Sequence, residues 1–206
     1  MTGNRIIARG GGDGIDVSEN GSSTDTLTLS GSRVVCTAGG NDAVVSGSDT
    51  SNSITFKKNT LKTNTGGNAL VSTVSSSTST SWTIKGSTFN TNGQGTGLSL
   101  QGGSTFQALV QGNNFNNNNV GVSVSGDGTT AGTVDLGLGP LGSQGNNNFS
   151  TFTTATATSY AIGLFNVASS YKMDAKSNQF TVSAPSVIAD GSDDTAAGGS
   201  GMIVTS

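Results

Sequence analysis

Two carboxylates, Asp135 and Asp174, each stand one residue after an apolar strand residue, Val134 and Met173, at what reads as the same outward position of consecutive repeats. If those strands are neighbours, their backbones lie about 4.8 Å apart. Carboxylates that close can raise one pKa, hold a cation, or act as acid and nucleophile on a glycosidic bond. The plainer expectation is a pair of splayed surface acids relieved by Lys172 or Lys176. The supporting cast for catalysis is thin. The chain has no His and a single Cys, Cys36, which argues against His/Cys zinc sites and Cys/His catalysis and rules out an internal disulfide. Tyr160 and Tyr171 are the aromatics left to stack on a sugar ring. The reading leans away from an enzyme.

Other constellations carry weaker chemistry. Gly11-Gly12-Asp13-Gly14-Ile15-Asp16 resembles the opening of a calcium-binding nonapeptide repeat, which makes Asp13 and Asp16 candidate calcium ligands. Such sites take ligands from tandem copies, and this chain has one. Thr26 and Thr28, Ser53 and Thr55, and Ser81 and Thr83 put hydroxyls at the same two outward positions of three repeats. That resembles the Thr-x-Thr arrays of ice-binding β-solenoids, although Thr also simply suits an exposed strand face. Lys57, Lys85 and Lys176 share the next outward column, with Gln111 between. Stacked lysines repel, so the expectation there is edge solubility. Cys36 reads as a small buried residue. Asn20-Gly21-Ser22 and Asn148-Phe149-Ser150 match glycosylation acceptors.

These residues are positioned by a repeat that covers nearly the whole chain. One half-repeat alternates apolar residues, turns through a short polar residue, and ends on an apolar corner. Its inward sets are Leu27, Leu29 and Val34; Ile54, Phe56 and Leu61; Trp82, Ile84 and Phe89; Ala108, Val110 and Phe115; and Met173, Ala175 and Phe180. Val134, Leu136 and Phe149 fill the same columns in a longer coil, interrupted by an insert from Gly137 to Asn146. Deleting Leu138 to Gln144 from that insert is expected to leave the fold intact. The second half-repeat begins with a small residue: Gly14, Ala43, Ala69, Gly97, Gly121, Ala161 and Ser186, separated by 29, 26, 28, 24, 40 and 25 residues. Two residues before the apolar corner lies Ser32, Asn59, Ser87, Asn113, Asn147 or Asn178. Such turn formers can stack into hydrogen-bond ladders. A repeat this short cannot bury its own apolar face, and stacking the coils does so.

The pattern resembles the right-handed parallel β-helix superfamily of the pectate-lyase type, over about residues 4 to 206. Phe56-Lys57-Lys58-Asn59, Phe89-Asn90-Thr91-Asn92 and Phe115-Asn116-Asn117-Asn118 are also similar to the Phe-x-x-Asn repeats of polymorphic membrane proteins, and Gly66-Gly67-Asn68-Ala69-Leu70 to their Gly-Gly-Ala motif. The resemblance implies an all-β, right-handed parallel β-helix; the repeat predicts a single domain of about seven coils, and the termini, with no helix or charged cap, uncapped ends. Low charge, Ser-, Thr-, Asn- and Gly-rich surfaces and the thin catalytic cast point to a structural, adhesive or assembly-forming surface β-helix. The alternatives are a polysaccharide lyase or hydrolase, as the resemblance implies, and a calcium- or ice-binding β-solenoid.

Composition narrows the setting. Charged residues make up 10% of 206, Gly numbers 32, Pro 2, and the net charge is -3. The apolar residues keep a fixed pattern, which argues against disorder. No apolar run is long enough to cross a bilayer, and no signal peptide is visible. Nine basic residues, spread along the chain, predict no nucleic-acid patch. The expected setting is extracellular or at a cell surface, with a polysaccharide or cell-surface ligand as a possible partner and no required cofactor.

The ends carry the last expectation. Met202-Ile203-Val204-Thr205-Ser206 reads as the start of a strand comparable to Leu27 onward, and Gly3-Asn4-Arg5-Ile6-Ile7 as its continuation, comparable to Gly31 onward. One coil is thus divided between the two ends. The plain reading is a piece of a longer β-helix. The sharper one is end-to-end self-association into a filament through Asn4, Arg5, Ile6, Met202, Ile203 and Val204.

Overall fold

A computed structural model describes the chain except residues 20–23, 48–50, 65, 75–78, 153–155, 157 and 192–198. It opens with β1 (Arg5–Ala8) and β2 (Ile15–Glu19). Full turns follow: β3 (Thr24–Ser30), β4 (Arg33–Cys36) and β5 (Ala43–Gly47); β6 (Ser51–Lys57), β7 (Thr60–Thr63) and β8 (Leu70–Val74); β9 (Ser79–Lys85), β10 (Thr88–Asn90) and β11 (Thr96–Gln101); β12 (Phe106–Gln111), β13 (Asn114–Phe115) and β14 (Val120–Ser125). The later turns are β15 (Thr133–Gly137) with β16 (Tyr160–Phe165), and β17 (Lys172–Ala175) with β18 (Ile188–Ala189). The strand β19 (Met202–Val204) begins another turn.

All described pairings are parallel. A first sheet of seven strands runs from β3 through β6, β9, β12, β15 and β17 to β19. A second sheet of five runs from β1 to β13, and a third of seven from β2 to β18. Isolated bridges at Asn148 and Gln179 carry the second sheet onward from Asn114. The fold is an all-β parallel solenoid of about six turns, one fewer than the periodicity predicts.

The turn from the first sheet to the second explains the polar column. Gly3, Gly31, Lys58, Gly86, Gly112, Asn146 and Ser177 all take φ between +53° and +70°, the left-handed region that reverses the chain sharply. The next residue starts a ladder. Backbone N–H groups of Asn4, Ser32, Asn59, Ser87, Asn113 and Asn147 donate to the side-chain oxygens of Ser32, Asn59, Ser87, Asn113, Asn147 and Asn178, at 2.9–3.2 Å. Asn adds a second bond, since Asn59 Nδ2 donates to the Leu29 carbonyl and Asn113 Nδ2 to that of Ile84.

The inward columns are buried as the alternation predicts, with Leu27 and Phe180 partly open near the two ends. Phe89, Phe115, Phe149 and Phe180 form a stack with centroids 4.9, 5.0 and 5.4 Å apart. One column departs from its sequence assignment. In the third sheet Ile15 pairs with Ala43 and Ala43 with Leu70, so the small-residue column holds Asp42 rather than Ala43. At the far end Ile162 pairs with Ile188, which puts Val187 there rather than Ser186.

Asn113→Ala should cost about 2–3 kcal/mol, because it leaves the buried N–H of Ser87 without its acceptor. Asn113→Ser, the residue found one rung earlier, should cost clearly less. Equal losses in urea melts would show that the acceptor is not what matters.

Candidate functional site

Asp135 and Asp174 do lie directly opposite each other, on β15 and β17. Their tasks differ. Asp135 is fully buried and accepts four backbone N–H bonds: from Gly137 and Gly139 at Oδ1, both 3.0 Å, and from Leu141 and Ser143 at Oδ2, 3.1 and 3.0 Å. The insert wraps so tightly that a Cβ at Gly139 would stand 2.8 Å from the Asp135 carboxyl carbon. Ser143 Oγ ties the loop to the Val110 carbonyl at 2.9 Å. Asp174 is half-exposed and pairs with Lys176 at 3.6 Å. An acid or nucleophile must touch its substrate, and both carboxylate oxygens of Asp135 are taken up by backbone N–H groups. The two tyrosines are also engaged. Tyr160 is buried against Phe165, and the Tyr171 hydroxyl donates to the Gly132 carbonyl.

Asp13 is the first member of a second ladder. Asn41 N–H donates to Asp13 Oδ1 at 2.7 Å, Asn68 N–H to Asn41 Oδ1 at 2.9 Å, and Thr96 N–H to Asn68 Oδ1 at 2.9 Å. Asp16 faces outward on the third sheet, in the column of Val44. Among the described residues no three His, Cys, Asp or Glu side chains gather as a metal site. The hydroxyl rows fall in register as two outward columns, Thr26, Ser53 and Ser81, and Thr28, Thr55 and Thr83, ending at Gln107 and Leu109. Asn148 is half-buried and its Oδ1 accepts the Ser150 N–H. Asn20 to Ser22 lie outside the described residues.

The periodicity missed Asp42. Its carboxyl is buried in the small-residue column; Oδ1 accepts the Cys36 N–H at 2.9 Å, and Oδ2 has no partner among the described residues. Burial pushes this carboxyl up to about 8, against the relief of the Cys36 bonds. Cys36 is buried beside it, with its thiol donating to the Asn41 carbonyl, and burial followed by the Asp42 charge raises that thiol to about 11. The signal in the sequence was the Asn41-Asp42 pair ahead of Ala43, one residue longer than its neighbours.

At the ends, β19 pairs with β17 through Lys172–Met202, Met173–Ile203 and Asp174–Val204. Ile203 therefore shares the inward column of Met173, and Met202 and Val204 the outward ones, one residue off the sequence alignment. Ile203 is buried and Met202 exposed. At the other end Thr2 bridges Ser30, and Met1 bonds Thr28 and Ser30 along part of the β3 edge. Asn4, Arg5 and Ile6 continue into β1, in register with Ser32, Arg33 and Val34.

Comparison with known protein families, with curated proteins and with solved structures finds no match. No helix among the described residues is long and apolar enough to cross a membrane.

Two predictions follow from the buried acids. Removing residues 138–144 should destabilise the fold by about 3–5 kcal/mol, because it strips N–H donors from a buried carboxylate. This reverses the expectation that the insert is dispensable. Adding Asp135→Leu, the residue of the preceding rung, should recover most of the loss, and an unchanged melt on deletion alone would refute the loop's role. For Asp42, a folded value raised from 3.8 to about 8 means that its stabilising proton is fully present below about pH 4. That stability is lost as pH rises to about 8, by roughly 1.4 kcal/mol per unit. Asp42→Asn should flatten that slope and exceed the native chain in stability at pH 8.5. Parallel pH profiles for the two chains would overturn the assignment.

Proposed function

We propose that this chain is a structural β-solenoid of a secreted or cell-surface assembly, which joins end to end into a filament and presents Ser-, Thr- and Asn-rich faces for adhesion. On this reading it is an offshoot of the pectate-lyase-like β-helix superfamily that serves as a scaffold. What favours a scaffold over a carbohydrate-cleaving enzyme is the caging of Asp135 by four N–H groups.

The observation that carries the proposal is the match between the two ends. Through the first sheet, Met202, Ile203 and Val204 occupy the columns of Thr26, Leu27 and Thr28. Met1, one residue before the Thr2–Ser30 bridge, occupies the column of Leu29. A second copy stacked on the β19 end therefore brings its Met1 into the column that follows Val204. Its β3 edge at Thr26 and Leu27, which meets no further strand of the first sheet among the described residues, receives β19. The first ladder is open at the same places. Asn178 Oδ1 is filled by Asn147, but the Asn178 N–H has no next rung among the described residues. Asn4 Oδ1, at the other end, is an acceptor in the same column. Thr205 and Ser206 would turn aside, because Met1 and Thr2 hold their columns.

Removing residues 202–206 should leave a folded monomer that no longer associates, and Ile203→Asp should do the same by placing a charge in the joint. Sedimentation of the native chain should show a concentration-dependent series of oligomers without a closed dimer limit. A native chain that remains monomeric at high concentration would sink the proposal.

A further inference from the structure

Stacking changes the meaning of the basic residues. Scattered in the sequence, six of the nine collect at one corner of the solenoid, where the first sheet turns into the second. Arg5 lies directly opposite Arg33, Lys57 opposite Lys85, Lys58 holds the left-handed position between them, and Lys62 lies opposite Val35 on the outward face of β7. Four are exposed, and Lys62 and Lys85 are half-buried. The segments 3–8, 30–36, 57–63 and 85–90 that build this corner contain no Asp or Glu. Among the described residues none of the six pairs with a carboxylate; the ion pair there is Lys176–Asp174, on a rung further along.

This arrangement runs against the usual pairing of charges on neighbouring strands. Like charges directly opposite each other destabilise a sheet, and the chain has 12 acidic residues with which to relieve them. Among the described residues it places none of them here. A net charge of -3 thus hides a local edge of +6.

We infer that this corner is the binding edge for a sulfated polysaccharide. Charge density selects the ligand. Four rungs span about 14 Å at the strand spacing, so the six cations fall about one per 2–3 Å of axis. A polymer with a single acid per sugar is too sparse to match them, whereas one with several sulfates per repeat is dense enough. A single exposed ion pair gains little, so a ligand must engage several cations at once. The corner carries no aromatic platform of the kind that holds single-stranded nucleic acid; Phe89, the aromatic on these strands, is fully buried. Thr60, Thr88 and Asn90 on the same sheet offer hydrogen bonds to sugar hydroxyls.

The site lies on the side of the solenoid and needs no end-to-end joint, so it stands or falls apart from the filament. The test is anisotropy of a labelled heparin octasaccharide titrated with the native chain at several salt concentrations. Binding should weaken linearly in log–log form with salt. K57Q/K85Q should lower affinity about tenfold and flatten the salt slope, while K172Q/K176Q should leave both unchanged. R5Q/R33Q supplies a second pair at the same corner. Melting temperatures close to native will confirm that these surface variants fold. No binding at low salt overturns the inference, as does equal loss in K172Q/K176Q. Tighter binding of duplex DNA of equal charge would assign the edge to nucleic acid instead, and equal binding of neutral dextran would show that sulfate plays no part.

Discussion

Every rung of this solenoid must find an acceptor for one backbone N–H that the corner turns inward along the axis. The left-handed residue at each first corner reverses the chain within two residues. It leaves the next N–H buried, where an unpaired donor is expensive. The acceptor comes from the equivalent side chain one rung on, so only a short residue with an oxygen can stand there. Asn and Ser alone fill the column from Asn4 to Asn178. The same bond that satisfies the corner also pins each rung to its neighbour without slippage. The buried face holds the same register, because a slip by one residue would turn every inward side chain outward.

Once register is pinned, inward residues of one kind must meet one another. The phenylalanine stack is the result, with neighbouring rings within 14° of parallel. The bulk of Trp82, which stacks on Phe56 at 5.8 Å, is offset on the next rung by the small Ala108. The rung that breaks the pattern shows what the pattern supplies. At β15 the register shifts beside Gly137, and an outward column that holds Thr83 and then Leu109 receives a buried carboxylate. The insert solvates that charge with its own backbone, in place of water.

The stacked architecture was legible because its two strongest requirements are periodic in sequence. The apolar columns and the Asn/Ser column both repeat with each coil, and the structure keeps both. What escaped was set by single-residue offsets and by relations between rungs. Asp42 was hidden because Ala43 looks like the small corner residue of its neighbours, although one extra residue precedes it. Asp13 resembles a calcium ligand locally, and its ladder with Asn41 appears only when the two rungs are stacked. The insert reads as a loop of no consequence, because nothing in its Gly-rich sequence shows that its N–H groups converge on a side chain upstream. The basic corner was missed for the same reason. Its members are far apart in sequence, and the neighbours that matter are those one turn away.

The direction of the ladders bears on how ends of this kind can meet. In the first ladder every N–H donates toward the β19 end, and in the second every N–H donates toward the β1 end. The first ladder therefore leaves an acceptor, Asn4 Oδ1, at the β1 end and the Asn178 N–H at the other, whereas the second ladder stops at Thr96. In the first ladder, two β1 ends brought together would set acceptor against acceptor and two β19 ends donor against donor. A two-fold dimer through these ends would break the first ladder at the joint, whereas a head-to-tail contact would continue it. In the proposed assembly the contact is thus heterologous, and a heterologous contact whose rotation does not close a ring extends into a filament.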